Sequence, residues 1–204
     1  MKGALILSGG RSSRMGKDKG MIFINDKPLV ALVADRVSKI VEEVVIVISK
    51  IQNKETYEFF LKGYKVLVEE GDIRAPIVGI NYGLKNMKSN YVAILGCDSP
   101  LVNLKVLEFM FDKVKGYDAC IPIWEDGKLE PLYAVYQREK TLKATKEALD
   151  RGELSNKSFI DKLEKVYYLK VNELKIFDEN LSFLLNANTP EELEKVKELL
   201  SKGY

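Results

Sequence analysis

Short, fully apolar runs alternating with stretches of helical periodicity predict an α/β fold of three layers, a mainly parallel sheet with helices on both faces. Ala4-Leu5-Ile6-Leu7, Val44-Val45-Ile46-Val47-Ile48, Tyr64-Lys65-Val66-Leu67-Val68 and Tyr91-Val92-Ala93-Ile94-Leu95 read as core strands, because a strand covered on both faces has no polar side to alternate with. Each is cut off by polar or turn residues, and a helical pattern precedes the next. That rhythm implies right-handed crossovers, with ligands at the carboxyl ends of the strands. At 204 residues one domain is expected.

The first strand stops at Ser8-Gly9-Gly10 and is followed by Arg11, Arg14, Lys17 and Lys19. Adjacent glycines let backbone N–H groups turn toward a ligand, and clustered cations add charge, so polyphosphate is the natural occupant. The spacing is not that of a P-loop, since five residues separate Gly10 from Gly16 and Asp18 follows Lys17. The dinucleotide pattern Gly-x-Gly-x-x-Gly does not occur either. A surface turn with solvated cations is the plain alternative.

Met21-Ile22-Phe23-Ile24 closes on the turn residues Asn25-Asp26-Lys27-Pro28, after which Leu29, Val30, Val33, Val37 and Ile40 recur at helical spacing. A polar helix carries Tyr57, Phe60 and Leu61. The third strand ends in Glu69-Glu70-Gly71-Asp72 and leads through Ala75-Pro76 into a helix with Ile77, Ile80, Leu84 and Met87 on one face. The fourth breaks at Gly96-Cys97-Asp98-Ser99-Pro100. The loops at Ser8, Ser49, Glu69 and Asp98 are therefore expected to line one crevice.

The second half changes rhythm. Ala119 to Ile123 and Pro131 to Tyr136 flank Glu125-Asp126-Gly127-Lys128, which predicts a hairpin-like excursion forming a substrate-facing lobe. A helix from about Arg138 stops at Gly152, Val166 to Leu169 is a late strand, and Thr189-Pro190-Glu191-Glu192 opens a final capped helix.

Composition removes whole classes of chemistry. There is no histidine, so serine or cysteine triads built on it and histidine-ligated zinc are excluded. A formal net charge of +2 argues against a general nucleic-acid binder. Cys97 and Cys120 lack metal-ligand spacing and read as buried apolar residues in a reducing cytosol. Without a signal-peptide pattern or an apolar run of membrane length, a cytoplasmic protein with no membrane partner is expected.

Asp98 stands where a core strand ends, and a hard carboxylate there suits Mg²⁺ shared with nucleotide phosphate. An Asx turn is the competing account. In Asn186-Ala187-Asn188-Thr189-Pro190, a helix cap explains Thr189 and Pro190 but leaves both asparagines underused, which makes Asn188 a candidate second metal contact. Trp124 and Tyr133 could stack on a heterocycle, though packing accounts for them equally.

These segments together resemble the molybdenum cofactor guanylyltransferases. Leu7-Ser8-Gly9-Gly10 with Arg14-Met15-Gly16-Lys17-Asp18-Lys19 looks like that family's nucleotide loop. Ala75-Pro76-Ile77-Val78-Gly79-Ile80 is similar to its Gly-Pro-Leu-Ala-Gly helix start, Cys97-Asp98-Ser99-Pro100 to its metal motif, and Asn186 to Pro190 to its Asn-x-Asn-Thr-Pro.

The resemblance implies a Rossmann-like fold of the nucleotide-diphospho-sugar transferase type. It also implies a single domain over 1–204, with 1–102 as the nucleotide-binding half and 103–204 as the acceptor-binding half. Activity would be transfer of GMP from GTP to a molybdopterin-type acceptor, with Mg²⁺ as cofactor and other proteins of the cofactor pathway as possible partners. Arg14, Lys19 and Asp98 would be catalytic. Leu7, Ser8, Gly9, Gly10, Lys19, Ser49, Glu69 and Gly79 would bind nucleotide, and Asp98 with Asn188 the metal. Ser8 stands where the family often has Ala, Ala75 where it has Gly, and Ser49 near a missing asparagine; Glu69, Glu70 and Asp72 compete for its acid after the third strand. A related enzyme using CTP, or acting on a sugar phosphate or cobamide precursor, and a non-catalytic nucleotide binder are the rival readings.

Overall fold

Strand β1 (Lys2–Leu7) is the axis of the sheet, with Ala4, Leu5 and Ile6 fully buried. The structure, a computed structural model, describes residues 1–9 and 18–204. A small antiparallel hairpin of β2 (Phe23–Ile24) and β3 (Lys27–Pro28) turns on Asn25, whose φ of 53° suits an asparagine. The chain continues through α1 (Leu29–Val37), β4 (Glu43–Ser49), α2 (Lys54–Phe60), β5 (Lys65–Glu69), α3 (Pro76–Lys85) and β6 (Tyr91–Gly96). The second half holds α4 (Leu104–Lys113), β7 (Ala119–Ile123), β8 (Tyr133–Gln137), α5 (Arg138–Asp150), α6 (Asn156–Ile160), β9 (Val166–Lys170) and α7 (Pro190–Ser201).

The seven-stranded sheet runs β5-β4-β1-β6-β8-β7-β9. Strand β8 alone runs against its neighbours β6 and β7, while the other pairings are parallel. After β1 the chain builds outward through β4 to β5, then returns to lay β6 on the other side of β1. The carboxyl end of β1 is thus a topological switch point, where two connections leave in opposite directions and open a crevice.

The expected hairpin exists, since β7 and β8 pair antiparallel, yet these strands continue the main sheet. They do so because both are almost wholly apolar and buried, from Ala119 to Ile121 and from Tyr133 to Tyr136. Strand β8 runs back along β6, so the segment before it, Glu130 to Leu132, arrives at the same sheet edge as Asp98. Helices α3, α5 and α6 pack on one another; α1 packs on β1, and α4 on β7 and β8. Among the described residues no helix is long and apolar enough to cross a membrane.

Candidate active site

The crevice at the end of β1 is a cavity of about 410 Å³ lined by residues from four strand ends and the start of α3. Leu7, Gly9, Lys19, Glu69, Gly79 and Asp98, six of the residues singled out in the sequence, reach its wall. The start of α3 contributes Ala75 and Pro76, with no acidic residue in the first turn and no side chain capping it. Proline at the first turn costs no hydrogen bond, and the positive end of a ten-residue helix faces the cavity.

Lys19 is the focus. Its Nζ donates to Asp98 Oδ2 at 2.5 Å and also to Asn188 Oδ1, joining residues 79 and 169 positions away. Both partners are held by backbone. Asp98 follows β6, where Cys97 N–H donates to Leu7 C=O at 3.0 Å and ties this segment to β1. The Asp98 carbonyl accepts from Ala187 N–H at 2.8 Å, which sets Asn188 beside the carboxylate. The cap of α7 fixes that segment again, because Glu192 Oε2 accepts from the N–H groups of Asn188 and Thr189 while Thr189 Oγ1 accepts from Glu192 N–H. Both asparagines accept through their amide oxygens, Asn188 from Lys19 and Asn186 from Ser99 Oγ at 2.7 Å.

Two hard oxygen donors, a carboxylate and an amide, thus converge on one ammonium group. The same pair suits Mg²⁺, which takes one or two protein oxygens and completes its shell from phosphate and water. Among the described residues no group of three or more acidic, cysteine or histidine side chains is placed so that it could hold a metal ion by itself.

Ser8 and Ser49 stand behind the cavity wall. Ser8 is 1% exposed; its N–H donates to Val47 C=O at 2.8 Å and its C=O accepts from Gln52 Nε2 at 2.7 Å, so its backbone is engaged within the protein. Ser49 is also buried, its N–H donating to Gln52 Oε1 at 2.7 Å. Gly10 and Arg14 lie outside the described residues.

Sequence reasoning missed the network behind that wall. Gln52 Nε2 also donates to Asp18 Oδ1, Tyr57 Oη donates to the same oxygen at 2.8 Å, and Ser8 Oγ lies 2.8 Å from Tyr57 Oη. Burial first, with the nearby Cys97 and Asp18 adding to it, pushes the Tyr57 phenol well above its ordinary range and keeps it a donor. The two ends of the cationic loop, Ser8 and Asp18, are thereby pinned to one tyrosine and one glutamine. Gly20 belongs to the same knot: a Cβ there would collide with Ser8 Oγ and Tyr57 Oη.

Of the three acids at the end of β5, Glu69 is the one whose side chain reaches the cavity. It is 8% exposed and lines the cavity, whereas Glu70 is exposed and Asp72 pairs with Lys50. Burial raises the Glu69 carboxyl above its usual range, partly offset by the Arg74 guanidinium. A Cβ on Gly79 would stand 3.3 Å from Glu69 Oε2 and 3.2 Å from Leu7 Cδ2, so glycine lets α3 close over both. The Cys97 thiol is pushed up to about 12 by burial and then by Asp98, which makes it no nucleophile. Tyr133 is buried with its hydroxyl accepting from Asn103 N–H, and Trp124 Nε1 donates to Glu130 at 2.8 Å, so packing and turn structure occupy both aromatics.

Residues 4–166 match the family of MobA-like NTP transferase domains. The chain belongs to that family. A probable molybdenum cofactor guanylyltransferase of Methanosarcina mazei is 29% identical over 96% of this chain and 89% of its own length. The molybdenum cofactor guanylyltransferase of Vibrio campbellii is 32% identical over 97% and 95%. Among solved structures, molybdopterin-guanine dinucleotide biosynthesis protein A from Archaeoglobus fulgidus superposes with a TM-score of 0.80 at 27% identity, covering 99% of this chain and all of that one. In this MobA-like NTP transferase, the first motif of the fold and the last are therefore joined directly, through Lys19 and Asn188.

Proposed function

We propose that this chain transfers GMP from GTP to the terminal phosphate of a molybdopterin-type acceptor, releasing pyrophosphate, with Mg²⁺ and in the cytoplasm. The observation that carries the reading is the meeting of Lys19, Asp98 and Asn188 at the mouth of a cavity closed by a helix N-terminus and a buried carboxylate. Relatives named for this reaction over nearly their whole length support it. Residues 1–102 are the nucleotide-binding half in this account and 103–204 the acceptor-binding half.

In the reaction an oxygen of the acceptor phosphate attacks the α-phosphorus of GTP, and the bond to the β-phosphate breaks with its electron pair leaving on pyrophosphate. Both reactants are anions, so neutralisation and alignment carry the catalysis. Asp98 and Asn188 would hold Mg²⁺, which when bound supplies charge neutralisation between the phosphates. Lys19, on a flexible four-carbon stem, moves its ammonium from these oxygens to phosphate. Arg14 and the N–H groups around Gly9 and Gly10 hold the departing charge.

Glu69 is the base reader in this proposal. A carboxylate accepts simultaneously from the ring N–H and the exocyclic amino group on the Watson–Crick edge of guanine, whereas adenine and cytosine present no such adjacent pair of donors. Ser8 and Ser49 act from behind by fixing the wall, and Leu7 and Gly79 shape it.

Heat protection tests the nucleotide assignment, since a ligand bound only by the folded form raises the melting midpoint. GTP with Mg²⁺ is expected to raise it more than CTP, ATP or UTP at equal concentration. Equal protection by all four would overturn guanine as the base.

A further inference from the structure

Among the described residues that line the nucleotide cavity, Arg74 is the one charged group to which no part has been given. Asp98 follows β6 and Glu69 ends β5, with β4 and β1 between them. At the usual strand spacing their backbones stand roughly 14 Å apart, so the cavity has a metal end and a Glu69 end. Arg74 belongs to the second. It immediately precedes Ala75, the residue before Pro76 at the entrance of α3, which takes the extended conformation that a following proline demands, with φ −146° and ψ 144°. Its charge offsets part of the upward shift of the Glu69 carboxyl and also acts on Asp72, in both cases without a hydrogen bond. Asp72 is already taken by Lys50. The Arg74 side chain is exposed, and its N–H donors have no hydrogen-bond or ion-pair partner among the described residues.

A carboxylate can take only the two donors on the guanine edge, the ring N–H and the amino group. Beside them stand two acceptors, the ring carbonyl O6 and then N7, which Glu69 would repel. A guanidinium fork matches that second pair, and arginine bound through O6 and N7 is the commonest specific contact to this base. Among the described lining residues none is aromatic, so no ring is available there to grip the base by stacking. The geometry points to Arg74 as a second specificity-determining residue, which donates to O6 and N7 of the base while Glu69 accepts from its two donors. This rests on the proposed guanylyltransferase reading and extends it from half of the base edge to the whole. Adenine carries an amino group in place of O6 and turns a donor toward the guanidinium, so Arg74 disfavours it independently of Glu69.

The full-length protein with Mg²⁺ is titrated calorimetrically with GTP, ITP, ATP and 2-aminopurine riboside triphosphate. ITP keeps O6 and lacks the amino group; the 2-aminopurine nucleotide keeps the amino group and lacks O6. Arg74→Ala is expected to lower the affinity ratio of GTP to the 2-aminopurine nucleotide at least tenfold, and that of ITP to ATP alike, with the ratio of GTP to ITP held within about twofold. Arg74→Lys keeps the charge without the fork and should recover only part of the loss. Ratios unchanged in Arg74→Ala would overturn the inference even if every triphosphate bound more weakly, since a guanidinium stacked on the base or facing phosphate serves all four. A changed ratio of GTP to ITP would overturn it too, because it would show Arg74 acting through Glu69. A wild type that prefers GTP to ATP, with the preference intact in Arg74→Ala, would remove this inference alone; a wild type that binds all four alike would remove the guanine reading with it.

Discussion

Lys19 Nζ lies 2.5 Å from Asp98 Oδ2, with only 16% and 23% of the two side chains exposed. The pair links the residue after the cationic loop to the residue after β6, across the switch point beside β1. Screening by water is reduced there, so the charges act on a substrate more strongly than exposed ones would.

Removing either charge should therefore stop transfer and leave the fold in place. Lys19→Ala and Asp98→Ala are each expected to lower kcat by at least roughly 10²-fold, the scale of losing one preorganised charge-stabilising group. Pyrophosphate release measures this, with circular dichroism as the control. Turnover within a few-fold of wild type in either variant would remove the assignment.

The Asp18–Tyr57 bond makes a separate prediction. Tyr57→Phe deletes the donor to Asp18 and leaves a half-buried carboxylate oxygen with one fewer partner, at a cost of about 1–3 kcal/mol. Denaturant unfolding gives that number, and the KM for GTP should rise because both ends of the loop lose a shared anchor. A variant as stable as wild type with unchanged KM would show that the network positions nothing.

Gly20→Ala places a methyl against Ser8 and Tyr57 in the same knot. Overpacking of this kind costs about 1–3 kcal/mol. A lowered urea midpoint is the expected result; a midpoint equal to wild type would mean that the knot yields freely.

Glu69 predicts a dependence on pH. Its folded-state carboxyl titrates above the ordinary 4.5, chiefly because burial disfavours the charged form. The penalty is absent below the unfolded value, appears as pH rises through the folded one, and persists at neutrality. Glu69→Gln without ligand should thus melt higher than wild type at pH 7, the gap closing in acid, while its affinity for GTP falls. A gap that widens toward acid would give the shift the opposite sign.

Much of this was legible in the residues. Four apolar runs fixed the parallel strands, Gly152 and the Thr189 to Glu192 cap marked helix ends, and strand-terminal acids pointed to the crevice. Helix α4 was not anticipated; its buried face, Val106, Leu107, Met110 and Phe111, follows Asn103 as N-cap. The place of β8 between β6 and β7 could not be read either, because strand order depends on which apolar faces meet in three dimensions. The Ser8–Tyr57–Asp18–Gln52 network joins positions 34 to 49 apart with no periodicity, and Tyr57 carried only the signal of a core aromatic. Gln52, one of two glutamines in a chain rich in lysine and glutamate, was the one available hint.

The most direct test of the central claim is competition among GTP, CTP, ATP and UTP for transfer to molybdopterin with Mg²⁺, read by mass of the dinucleotide product. The guanine dinucleotide is expected as the dominant product, with none from Asp98→Ala. A cytosine dinucleotide formed as readily, or pyrophosphate released without any dinucleotide, would contradict the account.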